Sequence, residues 1–525
     1  MSMRPIAIGL MAALLGSTAV SAQTGNTVVL KSFDGFTQLR GEIESFDGRT
    51  FSIRTGLGVI QVDALQVQCE GEACPQDLLF GAEFGVFGSN TIGASLMPAL
   101  IQGYADKLDA DLVQELSAVE NERVMRIIHE TGEEMAAIDL RAHGSGTSYS
   151  GLEAGQATIG MSSRQMKDDE AQLLASLGNG DLRGTDYEHI LALDGLIIVT
   201  HQSNPLSSID FEELPFVFSG EITNWSELGG PDQPIVVYSH QENTGTYDTF
   251  ASLVMDPVGE ITSPTVERFV SNAELSDKVA RTPGAIGFTG AAFARSAKVL
   301  GLRQECGLVS EPSTFAMKTE EYPLSRRLYL YSLPDGAPAH SRQLLDFALS
   351  DEAQGIVEDT GFVSLAEERV SMAGQGARLV HAIVGEDEVS LPAMRELLTE
   401  LRDAERLSVT FRFNQGSSDL DARSSQDAIR LANDLVEGKF AGQEVLLVGF
   451  TDSIGQADLN RGLSLRRANE VLAQLGRIMG PTTLSELPVS ALGFGEIAPV
   501  GCNTSFAGRR NNRRVEVWVR DLDES

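Results

Sequence analysis

Between about residues 81 and 362, short apolar runs alternate with segments in which apolar residues recur every three or four positions. After the turn GSNTIG, residues 88–93, the side chains of Leu96, Leu100 and Tyr104 share one helix face. Strands that alternate with helices in this way are typical of an α/β fold, in which helices pack on a sheet. The sequence therefore predicts a multidomain α/β protein whose largest part is this segment.

Different patterns flank this segment. Residues 26–68 alternate apolar and polar positions between turns such as Asp47-Gly48, which predicts a small β-barrel or sandwich. From residue 408 onward, strands and helices predict a compact α/β sandwich, whose first helix has the apolar stripe Ile429, Ala432 and Val436. The predicted domains are a signal (1–22), a small β-rich module (23–80), a two-lobed α/β domain (81–365), a linker with a packing helix (366–406) and the α/β sandwich (407–525).

The first residues have the layout of a secretion signal. Arg4 precedes an apolar stretch from Ile6 to Leu15, and small residues lead to a cleavage site expected after Ala22. The alternative is a retained membrane anchor, but the stretch is shorter than the roughly 20 residues that span a bilayer. We therefore expect a secreted protein that is soluble once the signal is removed.

Charge limits the possible partners. The 525 residues have a formal net charge of -34 at pH 7. A chain this acidic repels phosphate backbones and anionic lipid surfaces, which argues against binding to nucleic acids or charged membranes. Any anion that the protein binds must be held by local groups.

Cys69 and Cys74 lie in CEGEAC, where a turn through Gly71 could bring them together. In an oxidising compartment this spacing predicts a disulfide. Zinc binding is the alternative, but no second close pair of Cys or His residues accompanies them, and we predict no metal site and no cofactor. For Cys306 and Cys502 the sequence leaves the pairing open.

Three segments of the α/β region combine glycine with hydroxyl residues where a strand meets a helix. They are GSNTIG, HGSGTSYSG with the later IGMSSRQMK, and SHQENTGTYDTF. Glycine lets a backbone approach a ligand, and hydroxyls and helix N-terminal amides donate hydrogen bonds to it. One such turn is also common in ordinary loops and helix caps, but three in one region indicate an oxyanion site.

With ALDGLIIVTHQSNPLSSID, FSGEITNWSELGG and TPGAIGF, these segments make residues 82–365 resemble phosphate ABC transporter substrate-binding proteins, which are type II periplasmic binding proteins. The resemblance implies two lobes that close over phosphate or a similar oxyanion. It also implies that the ligand is contacted by Ser89, Asn90, Thr91, Ser162, Ser163, Arg164, His240, Thr244, Gly245 and Thr246.

This chain departs from the family pattern at two points. His240 stands where the family commonly has Arg, and the second loop has SSR where some members have an Asp that accepts the ligand's proton. If His240 touches the ligand, anion affinity should fall as pH rises past neutrality, because the imidazole loses its charge. Alternatively, His240 makes a structural hydrogen bond and Arg164 forms a surface salt bridge.

Residues 449–471, GFTDSIGQADLNRGLSLRRANEV, and the later NNRRVEVWV resemble the OmpA-like peptidoglycan-binding domain. The resemblance implies that Arg467 binds the carboxylate, and Asp452 the ammonium group, of diaminopimelate in the stem peptide. Asn460, Leu463 and Arg513 are weaker candidates for the same pocket. The alternative for Asp452 and Arg467 is an internal salt bridge.

Together the two resemblances imply an oxyanion-binding protein in the periplasm of a Gram-negative cell envelope. It is expected to be tethered to peptidoglycan and to serve an ABC importer or an envelope sensor. The alternative is a structural tether whose binding domain has lost its ligand. An enzyme is not expected, because G-x-S-x-G, H-E-x-x-H and G-x-x-x-x-G-K-[ST] do not occur in the sequence.

Overall fold

The computed structural model describes residues 27–32, 38–46, 50–56, 58–64, 67–71, 73–74, 81–184, 186–242, 244–333, 337–385, 390–413 and 420–522. The predicted secretion signal, residues 1–22, lies outside these residues. Within the described ranges, no helix combines the length and the apolar composition that a membrane span requires. The chain forms two compact units, Met1–Leu78 and Leu79–Ser525.

The first unit contains one antiparallel sheet with the strand order β4-β3-β2-β1-β5, where two packed sheets or a closed barrel were expected. Val28, Leu30, Phe51 and Ile53 form its buried face, as the alternating pattern predicted. The strands are β1 Thr27–Ser32, β2 Gln38–Phe46, β3 Thr50–Thr55, β4 Gly58–Asp63 and β5 Val67–Glu70.

A disulfide closes the last turn of this unit. Cys69 and Cys74 are joined with an Sγ–Sγ distance of 2.04 Å, and the amide of Cys74 donates to the carbonyl of Gly71 at 3.1 Å. Gly71 has a φ of 141°, a conformation that other residues rarely adopt. Both sulfurs are consumed in the bond, so neither is available to a zinc ion.

The second unit begins with a mixed sheet whose main strand order is β14-β13-β15-β11-β18-β10-β6-β9-β8-β7. Its strands are β6 Ala82–Gly88, β7 Asp111–Leu116, β8 Glu122–Ile128, β9 Glu134–Ala142, β10 Ile159–Ser162, β11 Glu188–Thr200, β12 Ser208–Asp210, β13 Val236–His240, β14 Glu267–Phe269, β15 Ala285–Gly290, β16 Lys298–Arg303, β17 Val309–Ser310 and β18 Ser325–Ser332.

Helices cover this sheet and separate two large cores, which we call lobe 1 and lobe 2. Lobe 1 is built around Val86, Leu100 and Tyr104, and lobe 2 around Phe218, Trp225 and Phe288. The helices are α1 Met97–Lys107, α2 Ser145–Glu153, α3 Asp168–Leu174, α4 Leu214–Ser219, α5 Gly245–Phe250, α6 Asn272–Arg281, α7 Thr314–Lys318, α8 Ala339–Ala348 and α9 Asp351–Asp359.

Strands β11 and β18 run through both lobes. Leu191 of β11 packs in the lobe 1 core, whereas Leu193 and Ile198 pack in the lobe 2 core. β18 pairs with β11 in antiparallel register, from Glu188 opposite Tyr331 to Gly195 opposite Ser325. These two strands therefore connect the lobes.

The C-terminal module is a sheet with the order β19-β20-β23-β21-β22. Alternate residues of β21 face opposite sides, so that Val445 and Leu447 pack with α12 and α13, while Leu446 and Val448 pack with α11. The elements are β19 Arg369–Ser371, α10 Gly376–Gly385, α11 Leu391–Leu401, β20 Glu405–Arg412, α12 Ala422–Val436, β21 Gln443–Gly449, α13 Ala457–Met479, α14 Pro481–Ser485, β22 Val489–Gly493, α15 Phe506–Asn512 and β23 Arg514–Asp521.

For α12, the predicted apolar stripe of Ile429, Ala432 and Val436 is wrong at its first and last residues. Ile429 and Val436 are 47% and 59% exposed. The buried face instead consists of Ala428, Leu431, Ala432 and Leu435. The predicted residues have helical spacing, but the buried stripe is centred one position earlier in the sequence and consists of two alanines and two leucines.

The C-terminal module is joined to lobe 2 by a disulfide and by buried ion pairs. Cys306 and Cys502 form the disulfide, which settles the pairing that the sequence left open. Nearby, Glu320 makes ion pairs with Arg327, Arg412 and Arg423 at 2.5, 3.3 and 2.8 Å. Burial alone would raise the pKa of Glu320, but the three guanidinium groups outweigh it and hold that pKa well below its usual range.

Candidate functional site

The first predicted loop lies between β6 and α1, at the boundary of the two lobes. Gly88 has a φ of 142°, and a Cβ there would lie 1.9 Å from the carbonyl oxygen of Met161, so only glycine fits. Ser89 and Asn90 follow it. The Ser89 hydroxyl and the Asn90 Oδ1 are buried and meet no hydrogen-bond partner among the described residues. Buried polar atoms of this kind are rare, which marks the loop as a candidate ligand contact.

The third predicted loop belongs to lobe 2 and touches the first. The Thr91 hydroxyl donates to the carbonyl of Gly245 at 3.3 Å. A Cβ on Gly245 would lie 2.3 Å from the Cα of Thr91, so this glycine is what lets the lobes approach. Thr244 caps α5 by accepting from the amide of Tyr247, and Thr246 donates to Asn272 at 3.5 Å.

In the second predicted loop, the three residues have different environments. Ser162 is buried, donates to the carbonyl of Arg164 at 2.6 Å and accepts from Tyr149. The Ser163 hydroxyl lies 3.1 Å from that of Ser145. Arg164 is held by Glu170 through two bonds of 2.8 and 2.6 Å, so its charge is already balanced by a carboxylate.

His240 ends β13 inside lobe 2. It is fully buried, and its ring lies 5.4 Å from that of Phe288. Burial lowers the pKa of His240 to about 4, and the backbone of Phe269, Phe288 and Val270 offsets only part of the shift. The imidazole is therefore neutral near neutral pH.

The cationic group in the cleft comes from a residue that the sequence did not single out. Arg326, near the start of β18, donates to the hydroxyls of Thr91, at 2.8 Å, and of Thr249. Thr91 belongs to lobe 1 and Thr249 to α5 of lobe 2. The signal in the sequence is a pair of arginines, SRR, at the start of the apolar strand LYLY. Because a charged side chain beside a buried strand requires a partner, this signal could have marked the two arginines as candidate site residues.

Two carboxylates accompany Arg326. Asp194 is buried on β11, with Oδ2 3.5 Å from the Nε of Arg326, and accepts from Thr249 at 2.5 Å. Burial raises the pKa of Asp194, while Arg326 opposes the shift. Asp248 lies 3.3 Å from the Nη2 of Arg326 and accepts from the Ser163 hydroxyl at 3.5 Å.

Arg326 and Asp248 line a pocket of about 430 Å³ between the lobes, whereas Thr91, Thr249 and Asp194 contact Arg326 without lining it. We call it the cleft pocket. A positive guanidinium, hydroxyl donors and a carboxylate suit an oxyanion that carries a proton, because the carboxylate can accept that proton in a hydrogen bond. Its polar lining includes Ser145, Ser163, Arg164, Asp248 and Arg326.

The C-terminal module brings Asp452, Arg467 and Arg513 together. The Nη1 of Arg513 donates to Asp452 at 2.7 Å, so the closest ion pair of Asp452 is with Arg513 and not with Arg467. Arg467 lies over the ring of Phe413, with 5.7 Å from its guanidinium carbon to the ring centre. Its buried Nη1 meets no hydrogen-bond partner among the described residues. This guanidinium is therefore free to donate to a carboxylate.

The environment of Arg467 disfavours its own charge. Burial lowers its pKa, the neighbouring cation Arg513 lowers it further, and Asp452 offsets part of the shift. A ligand carboxylate beside Arg467 would stabilise its charged form and offset this fall in pKa. Asn460 lies next to the pair, with its amide donating to the Asp452 carbonyl at 3.4 Å and to Glu496 at 2.5 Å, and Leu463 is half-buried on α13.

Metal binding has no evident place in the described part of the chain. No group of three or more His, Cys, Asp and Glu side chains in these ranges could hold a metal ion.

Comparison with known proteins identifies the two main parts. Residues 127–352 match the PBP superfamily domain, and residues 412–513 match the OmpA family. The phosphate-binding protein PstS of Borreliella burgdorferi is 26% identical over 229 residues, 43% of this chain and 78% of that protein. PstS of Bacillus subtilis is 28% identical over 242 residues, 46% and 75% of the two chains.

Among solved structures, an ABC-type phosphate transport receptor from Vibrio cholerae is 25% identical, with a TM-score of 0.40, and the match covers 53% of this chain and 99% of the receptor. The two domain matches confirm both resemblances predicted from the sequence, and the observed sheets and helices confirm the mixed α/β fold. The chain joins a PBP superfamily domain, related in sequence to PstS proteins, to a C-terminal domain of the OmpA family.

Proposed function

We propose that this protein captures inorganic phosphate or a related tetrahedral oxyanion between its two lobes while its C-terminal module holds it on peptidoglycan. The observation that supports phosphate capture is the position of Arg326, whose guanidinium donates to hydroxyls from both lobes. One of these, Thr91, belongs to the loop that carries the unpartnered hydroxyl of Ser89. PstS proteins, which the chain resembles, are named as phosphate-binding proteins.

The cleft pocket explains how an acidic protein can hold an anion. Arg326 and the hydroxyls of Ser145 and Ser163 act at short range, so the net charge of -34 does not decide the affinity. The carboxylate of Asp248 favours hydrogen phosphate over an oxyanion that has no proton. We assign no catalytic step to the site.

The proposed binding to peptidoglycan is supported by the Nη1 of Arg467, which has no hydrogen-bond partner among the described residues. A stem-peptide carboxylate would supply that partner, and Asp452 would face the ammonium group of the same diaminopimelate. In this proposal the protein resides in the periplasm of a Gram-negative cell and delivers its ligand to an ABC importer or reports it to an envelope sensor.

Two measurements on the full chain test the proposal separately. A thermal-shift panel of phosphate, sulfate, arsenate and molybdate should show stabilisation by phosphate, about 2.7 kcal/mol at 100 times the dissociation constant. Co-sedimentation with purified sacculi should retain the protein in the pellet. Absence of stabilisation by all four anions, with pellet binding retained, would support a structural tether instead.

A further inference from the structure

A second cavity lies between the binding domain and the C-terminal module. Its volume is about 660 Å³, within the range of roughly 300–1,000 Å³ that is usual for small-molecule sites. The C-terminal module contributes Asp421, Ser505, Ala507, Arg510 and Asn511 to its wall. We call this space the junction cavity.

The junction cavity adjoins the cleft pocket. Both are lined by Leu253, Arg326, Arg327 and Tyr329. Arg326 therefore stands at the boundary, with the anion groups on one side and the C-terminal module on the other. An oxyanion with four oxygens displaces only a few waters of about 30 Å³ each, so inorganic phosphate would leave the junction cavity to solvent.

The chemistry of the wall suits a hydroxylated organic group. Phe211 and Leu253 give apolar surface, and Gln304 and Asn511 give amides that both donate and accept hydrogen bonds. Glu212 and Arg510 are exposed, and neither pairs with an oppositely charged side chain in the described ranges. A sugar ring presents hydroxyls at its rim and C–H groups on its faces, which matches this mixture.

From this geometry we infer that the site binds a phosphate monoester of a sugar, with the phosphoryl group in the cleft pocket and the sugar in the junction cavity. The inference rests on the proposed anion site and extends it: the C-terminal module forms part of the ligand site in addition to its role at the cell wall. Ala507, on α15, then faces the sugar.

The test is calorimetry on the full chain with inorganic phosphate and with glucose 6-phosphate. Wild type should bind both, and phosphate should compete with the ester. Ala507→Trp fills the junction cavity and should weaken glucose 6-phosphate at least about tenfold while changing phosphate affinity less than about twofold. Phe506→Trp is the control, since Phe506 lies on the same helix, is 58% exposed and does not line the cavity.

The outcomes distinguish failure of the proposed phosphate site from failure of the inferred sugar site. Binding of phosphate without binding of the ester overturns the inference alone. Binding of the ester without inorganic phosphate overturns phosphate as ligand and supports the inference. Binding of neither overturns both. An equal loss for both ligands in Ala507→Trp, or the same loss in Phe506→Trp, overturns the placement of the sugar.

Discussion

Arg326 and Arg327 are consecutive residues of β18, and their side chains serve different parts of the protein. Arg326 lines the cleft pocket and donates to the hydroxyls of Thr91 and Thr249. Arg327 bonds to Glu320 and, at 2.9 Å, to Asp421 of the C-terminal module. Through the ion pairs of these two neighbours, one strand joins the proposed anion site to the interface with the C-terminal module.

Replacing Arg326 should weaken phosphate binding. We expect Arg326→Gln to lower the affinity at least about tenfold, since a hydrogen bond to a charged group contributes about 1.5–3 kcal/mol. Arg164→Gln should change it much less, because Glu170 already holds Arg164 through two hydrogen bonds, whereas the buried Nε of Arg326 has no hydrogen-bond partner among the described residues. Isothermal calorimetry measures both. Arg326→Lys, which keeps the charge beside Asp194, guards against misfolding and should give an intermediate affinity. Equal losses for Arg164→Gln and Arg326→Gln would contradict this assignment.

Replacing Arg327 should instead lower stability. Arg327→Gln leaves Asp421 and Glu320 with fewer partners, and breaking a buried ion pair costs about 3–5 kcal/mol. Urea unfolding at pH 7 measures the loss. Because the folded pKa of Glu320 is depressed, its stabilisation is present above its unfolded pKa of about 4.3 and is lost as pH falls through the folded pKa. Exposed Arg295, paired with Asp277, is the control position; an equal loss in Arg295→Gln would argue against the network.

The carboxylate of Asp248 should set the preference for phosphate over sulfate. Asp248→Asn loses an acceptor for the proton of hydrogen phosphate and a charge that repels sulfate. The ratio of the two affinities should fall at least about tenfold, measured by calorimetry at pH 7. Asp277→Asn, at an ion pair on the surface of lobe 2, should leave the ratio unchanged. An unaltered ratio in Asp248→Asn would place this carboxylate outside the ligand's reach.

His240 should affect stability more than affinity as pH changes. Its pKa is about 4 in the folded protein and about 6.5 in the unfolded chain, so between these values the unfolded state binds more protons. The free energy of unfolding should therefore fall from pH 6.5 towards pH 4, by up to about 3 kcal/mol. His240→Gln should remove that slope.

The same variant tests the expectation that the charge of His240 controls the anion. Since the ring is neutral between pH 5.5 and 8.0, sulfate affinity should have the same pH profile in wild type and His240→Gln. Calorimetry at the two pH values would show it. A pH dependence that disappears in the variant would mean that the imidazole reaches the ligand after all.

In the C-terminal module, Asp452→Ala and Arg467→Ala should each abolish co-sedimentation with sacculi. Asp452→Ala removes the partner of the ammonium group of diaminopimelate, and Arg467→Ala removes the partner of its carboxylate. Arg513→Ala should weaken it, since Arg513 holds Asp452 at 2.7 Å. Arg477→Ala is the control, as Arg477 lies on the same helix and pairs with exposed Glu470. Pull-down that survives in both Asp452→Ala and Arg467→Ala would refute the site.

The sequence predicted what local patterns can encode and missed what the fold brings together. Leu96, Leu100 and Tyr104 are buried as their spacing indicated. The three loops were predicted as ligand contacts because glycine and hydroxyl residues cluster within each. Arg326 is more than 75 residues from both Thr91 and Thr249, so only the pairing of strands places it in the cleft. The predicted buried stripe of α12 was wrong because tertiary packing buries Ala428 and Leu431. Helical periodicity alone does not determine which side of a helix is buried.

The two disulfides differ in when they can form as the chain is made from its N-terminus, because their cysteines are separated by 5 and by 196 positions. Cys74 follows Cys69 by five positions, so this pair can oxidise at once. Cys306 must wait for Cys502, 196 residues later. By then the first two cysteines can already be joined, which leaves Cys306 one remaining partner. The order of synthesis therefore favours the native pairing, and the covalent link between lobe 2 and the C-terminal module is the later of the two to become possible.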